Sequence, residues 1–154
     1  MANTYTQIHI QAVFAVQNCQ SLISEEWKDQ LYRYISGIIQ QNGHKLLQIN
    51  GMPDHIHVLF GMRPIQSMSD LMKQVKQDSS KWINLNKLST GKFSWQEGYG
   101  EFPYSKSQVP RIIHYIQDQQ EHHKKQSFSE EYLSLLRIHD IDYDERFLFK
   151  PIDP

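Results

Sequence analysis

From residue 5 to residue 16 apolar and polar positions alternate. Ile8, Ile10, Ala12, Phe14 and Val16 fall on one side, and Gln7, His9 and Gln11 on the other. A period of two predicts a half-buried strand over this stretch. From residue 24 to residue 42 the spacing changes: Trp27, Leu31, Tyr34, Ile35, Ile38 and Ile39 recur at helical intervals, with Ser24 placed to cap the start and Gly43 to close the end. Two short strands, 45–50 and 55–60, are joined by the turn formers Gly51-Met52-Pro53-Asp54 and predict an antiparallel hairpin. A second helix over residues 69–86 turns Leu71, Met72, Val75, Trp82 and Ile83 inward and leaves Lys73, Lys76 and Lys81 to solvent. Residues 91–105, with Gly91, Gly98, Gly100 and Pro103 among aromatics, predict a short strand and irregular loops. Pro110 suits the first turn of a helix that continues to about residue 125. A shorter helix follows over 129–137, then an extended acidic tail over 141–154.

Strand, helix, strand, strand, helix, strand is the order of an α+β, ferredoxin-like (RRM-like) split β-α-β sandwich, an antiparallel sheet with helices on one face. The expectation is one domain over residues 1–154: a core at about 5–105, a tyrosine-bearing helix at about 110–125, and a C-terminal tail at 126–154. The second face of the sheet would then be free for a ligand.

Composition agrees with a folded unit, since 39% of the 154 residues are apolar and 21% charged. Cys19 is the single cysteine, so no internal disulfide can form. The first seven residues lack a basic, apolar leader, and the longest apolar run, residues 12–16, is far short of the roughly 20 residues a spanning helix needs. A cytoplasmic protein with no membrane association is expected. A net charge of −1 and a pI near 6.7 do not announce a nucleic-acid binder. The charge is uneven, however: residues 61–111 carry eight Lys and Arg against four Asp and Glu. That is enough for a basic face that attracts phosphates, and equally compatible with an ordinary solvated helix surface.

In Asp54-His55-Ile56-His57-Val58-Leu59-Phe60 the histidines are two apart on a strand, so both point to one face and Ile56, Val58 and Phe60 to the other. Two neutral imidazoles side by side can share a metal ion, though two surface histidines would give the same pattern. Residue 59 is Leu, where a histidine-triad hydrolase needs a third His; no second His-x-Thr or His-x-Ser motif exists for a two-histidine phosphodiesterase; one Cys does not furnish a closed zinc site. An open site awaiting a third ligand remains. Residues 111–123, Arg-Ile-Ile-His-Tyr-Ile-Gln-Asp-Gln-Gln-Glu-His-His, can bring one, because Tyr115 and Gln119 share a helical face with Asp118 and His122 nearby. Taken alone, Tyr115 could equally be a core or rim aromatic.

Together, the His-hydrophobe-His strand, the Tyr-Ile-x-x-Gln helix followed by Glu-His-His, and the closing runs at 128–132 and 143–147 resemble the HUH-type single-tyrosine transposases of bacterial insertion sequences and their REP-associated relatives. The resemblance implies that His55, His57 and Gln119 bind a divalent metal, Mg²⁺ or Mn²⁺, and that Tyr115 attacks a DNA phosphate. Asp118 and His122 would stand just outside the ligand set, and relatives often carry Asn where this chain has Asp118. It further implies single-stranded DNA with hairpins as substrate, a 5′-phosphotyrosine intermediate, and a homodimer.

The chemistry is coherent. A tyrosine hydroxyl with a pKa of about 10 is mostly protonated at neutral pH, so the site must assist it, and a divalent metal does so by polarising a non-bridging phosphate oxygen. The phosphotyrosine keeps the energy of the phosphodiester, so a free 3′-hydroxyl can rejoin the strand without ATP. Two alternatives compete with this reading: a hairpin-binding protein of the same ancestry that does not cut, and a water-using phosphoesterase for which Tyr115 is dispensable.

Overall fold

A computed structural model of the chain describes residues 8–144. In chain order its elements are β1 (Ile8–Ala15), α1 (Lys28–Gln41), β2 (Lys45–Met52), β3 (His55–Met62), α2 (Met68–Leu85), β4 (Gly100–Tyr104), α3 (Val109–Gln117), α4 (Gln119–His122) and α5 (Phe128–Ile138). The four strands form one sheet in the order β2-β3-β1-β4, with every neighbouring pair antiparallel. This is the expected split β-α-β sandwich. Residues 5–7 of the predicted first strand and residues 145–154 of the predicted tail lie outside the described residues.

The helix side of the sheet follows the sequence pattern closely. Ile10, Ala12, Phe14 and Val16 from β1, with Ile56, Val58 and Phe60 from β3, meet Leu31, Ile35 and Ile39 of α1 and Leu71, Met72, Val75 and Ile83 of α2 in the main core. Trp82 is only half-buried and stacks on Tyr34 at 4.9 Å, closing the edge between the two helices. Ser67 caps α2, accepting from the Asp70 amide. Ser24 does not cap α1: the helix starts at Lys28, and it is the Ser24 carbonyl that accepts from the Trp27 and Lys28 amides. Gly43 ends α1 as expected, at φ 89°, where a side chain is rarely tolerated. Lys76 is not given to solvent. It is half-buried, donates to the carbonyls of Gln96 and Gly98, and burial lowers its pKa to about 8.

The second face of the sheet is not free. Val13, Ala15 and Phe102 on that face pack against Phe128, Tyr132, Leu135 and Leu136 of α5 in a second apolar cluster. A shallow amphipathic helix beyond β4 therefore becomes a cover, because Val13 and Ala15 leave an apolar surface that water would otherwise wet. The predicted single helix over 110–125 is also interrupted. It breaks at Asp118 (φ −95°, ψ 23°) into α3 and α4. The side-chain amide of Asn50 on β2 donates to the carbonyls of Ile116 at 2.9 Å and Gln117 at 3.2 Å, two acceptors a continuous helix would use for itself.

Candidate active site

β3 sets the two histidines. In its pairing with β1, His55 lies opposite Ala15 and His57 opposite Val13, small residues that leave room for both rings on the α5 side. The ring centroids are 5.1 Å apart, and neither side chain is exposed, at 0% each. The expectation of surface histidines on an open face is thereby corrected. The tight turn behind His55 depends on Gly51, where a Cβ would sit 2.2 Å from the His55 carbonyl oxygen.

Each ring is held by its Nδ1. That of His55 bonds the Asp54 carboxylate at 2.6 Å, and that of His57 bonds the Gln11 side-chain oxygen at 2.7 Å, Gln11 in turn donating to the Tyr104 hydroxyl at 2.9 Å. Carboxylate and amide oxygens only accept, so both Nδ1 atoms carry hydrogen and both Nε2 atoms face the same interior point.

At that point stands Glu131 of α5, 1% exposed. Its Oε1 lies 2.9 Å from His57 Nε2, 3.1 Å from His123 Nε2 and 3.4 Å from His55 Nε2. Its Oε2 accepts from the Tyr115 hydroxyl and, at 3.1 Å, from the Gln119 amide nitrogen. The Gln119 oxygen faces His55 Nε2 and His123 Nε2, both at 3.2 Å. Tyr115 and Gln119 thus reach one carboxylate although the helix between them is broken. Asp118 is exposed at that break and is not part of the cluster. His122 stacks on the Tyr115 ring at 4.5 Å, and its Nε2 is buried without a hydrogen-bond partner among the described residues.

The electrostatics follow from burial around one anion. Burial is the largest influence on His55 and pulls its pKa down, yet the bonds to Asp54 and Glu131 carry it above the ordinary value. For His57 burial outweighs Glu131 and lowers it. Burial would raise Glu131, but bonds from His123, His55 and His57 hold its carboxyl well below the usual range. Burial first, then the Glu131 charge, pushes the Tyr115 hydroxyl far up. The proton therefore stays on Tyr115 while the site is at rest.

These donors fit a divalent cation. With its hydrogen on Nδ1, His57 can offer an Nε2 lone pair to a cation that would take the place of its hydrogen bond to Glu131. The candidate ligand atoms of His55, His57 and Glu131 lie within 4.8 Å of one another, and the Gln119 oxygen adds a fourth donor. Imidazole nitrogen with carboxylate and amide oxygen is a donor set that a divalent metal ion accepts.

The chain as a whole is similar to known proteins. A family model described as "Transposase IS200 like" matches residues 4–119. The chain belongs to this family. The ISDra2 transposase TnpA of Deinococcus radiodurans is 25% identical to this IS200-like transposase over 118 residues, which is 73% of this chain and 84% of the relative. Among solved structures, one described as a transposase from Deinococcus radiodurans superposes with a TM-score of 0.60 at 22% identity, covering 77% of this chain and 95% of the other. A REP-associated tyrosine transposase bound to a REP hairpin also gives 0.60, at 13% identity, covering 80% of this chain and 73% of the other. Both superpositions show the shared fold. The family match ends at Gln119, so Glu131 and His123, the two site residues that sequence reasoning missed, fall beyond it. The sequence did hold a signal for His123, which closes the Glu-His-His run, but none that separates Glu131 from its neighbour Glu130 in the first turn after the Ser127 cap.

Proposed function

We propose that this IS200-like transposase cuts and rejoins single-stranded DNA at hairpin-bearing ends, with Tyr115 as the nucleophile and a divalent metal, Mg²⁺ or Mn²⁺, held by His55, His57, Gln119 and Glu131. The observation that carries this reading is the convergence of the Tyr115 hydroxyl and three candidate ligands, His55, His57 and Gln119, on the buried carboxylate of the fourth, Glu131. When bound, the metal polarises the scissile phosphate and neutralises charge that develops on it. Asp54 and Gln11 keep the imidazoles in the tautomer that can ligate. Glu131 holds the tyrosine hydroxyl at the cluster until a phosphate takes its place. Attack forms the bond from the Tyr115 oxygen to phosphorus and breaks the bond from phosphorus to the 3′ oxygen, which leaves as a 3′-hydroxyl with the proton that Tyr115 gives up; the product is a 5′-phosphotyrosine, and a 3′-hydroxyl reverses the step.

In a homodimer two such sites would act on the two ends of an element. The hairpin as substrate rests on the REP-bound neighbour, and a cytoplasmic setting on the DNA substrate.

Incubation with single-stranded hairpin oligonucleotides and Mn²⁺, followed by a denaturing gel, tests the proposal. Wild type is expected to give a covalent adduct. Tyr115→Phe is expected to give none while still retaining the hairpin. Cleavage that persists in Tyr115→Phe would mean that water is the nucleophile, and hairpin binding without any adduct in wild type would favour a binding protein that does not cut.

A further inference from the structure

Beside the cluster, with Tyr115 in its lining, a cavity of about 420 Å³ opens between β4, α3 and α5. That size lies within the range of roughly 300–1,000 Å³ usual for small-molecule sites. Its walls are flat and mostly apolar. Tyr104 and His139 pack edge to face at 5.2 Å with the His139 Nε2 and Tyr104 hydroxyl 3.2 Å apart, Ile112 and Leu135 line the apolar flank, and Tyr115 closes the inner end. Arg111 stands exposed at the mouth. Ile138, at the rim, is 73% exposed.

We propose that this cavity receives one unstacked nucleobase of the single strand, belonging to a nucleotide next to the phosphate that Tyr115 attacks. The proposal rests on the reading of Tyr115 given above and adds a subsite to it. Aromatic and imidazole walls recognise a base through its π-face, which every base possesses, and a guanidinium at the entrance meets the phosphodiester that must pass there. Burial raises the Tyr104 hydroxyl to about 12 and lowers His139, so both walls stay uncharged near neutral pH and can stack without desolvating an ion. A base anchored here would fix the phosphate beside it against the tyrosine, the kind of positioning that raises the effective concentration of reacting groups. Arg111 is on the same helix as Tyr115, one turn earlier, so backbone contact and nucleophile move as one body.

The probe is a set of hairpin oligonucleotides carrying 2-aminopurine, or an abasic site, at each position flanking the cut. With wild type, 2-aminopurine fluorescence is expected to be quenched at one position only, and an abasic site there should lower kcat/KM for adduct formation by about tenfold, chiefly through kcat. Ile112→Trp, which fills the cavity without touching the histidine network, is expected to erase both the positional quenching and the abasic penalty. His139→Ala, which removes the opposite wall, should do the same in a protein that keeps its melting temperature. Uniform or absent quenching, or an abasic penalty unchanged in both variants, overturns the subsite. If the cavity is instead closed by a second copy of the chain, quenching will be flat and sedimentation will show a dimer that Ile112→Trp disrupts, which also overturns it. Absence of any adduct bears on the nucleophile alone, because the fluorescence arm reads base capture without cleavage.

Discussion

Glu131 brings one oxygen within 3.4 Å of three imidazole nitrogens and the other to the tyrosine hydroxyl and the Gln119 amide, so most of the polar energy of the site passes through a single carboxylate. Replacing it with the isosteric amide keeps the shape and removes the charge. Glu131→Gln is expected to weaken Mn²⁺ binding by more than about tenfold by calorimetry, since a hard cation loses its one anionic oxygen. In the metal-free protein the same residue predicts an acid dependence. Its folded pKa is depressed below the ordinary 4.5, so its contribution to stability is complete above that value and is lost as pH falls beneath it. Wild-type melting temperature should therefore drop more steeply than that of Glu131→Gln once the pH is below 4.5, and parallel curves would contradict the assignment. His55 and His57 were legible in the sequence because a period of two puts both on one face whatever packs there. Glu131 was not, because nothing local distinguishes it from Glu130, which stays exposed; only the docking of α5 turns one acid inward.

The same division separates well-read elements from misread ones. α1, α2 and the β2–β3 hairpin are each specified by their own apolar periodicity and end signals, and their observed bounds lie within a few residues of expectation. The break at Asp118 had no such signal, since residues 116–123 contain neither Gly nor Pro. Its cause is tertiary. Asn50, opposite His57 in the sheet, takes the carbonyls of Ile116 and Gln117 and thereby ties the end of α3 to the strand beside the candidate metal ligands. Asn50→Ala should cost about 1 kcal/mol of stability and raise the hydrogen-exchange rate of α3 while leaving that of α1 unchanged. Adduct formation should slow with little change in KM, because the nucleophile is loosened rather than the DNA surface. An exchange pattern identical to wild type would show that the helix is held by other contacts.

At the scale of the molecule, the sheet separates two faces of different character. Lys73 and Lys81 are exposed on α2, which covers the Ile56–Val58–Phe60 side, whereas the cluster lies on the side covered by α3, α4 and α5. The basic segment read from the sequence is real as composition, yet these two lysines lie across the sheet from the site. Arg111, on the site's own side, should matter more. Arg111→Gln is expected to weaken single-strand binding and reduce the slope of log K against log salt by about 0.7, and Lys73→Gln to leave the slope unchanged; equal effects would place the DNA path elsewhere. Among the described residues no helix is long and apolar enough to cross a membrane. One last consequence comes from where α5 lies along the chain. The histidines precede it by more than seventy residues, as the separation of 74 between His57 and Glu131 records. A chain still emerging from the ribosome can fold its sheet around the histidines, but it lacks the tyrosine and then the carboxylate until α5 is free to dock. On the proposed chemistry, a nascent transposase near DNA is harmless, and cutting becomes possible only when synthesis of the chain has passed α5.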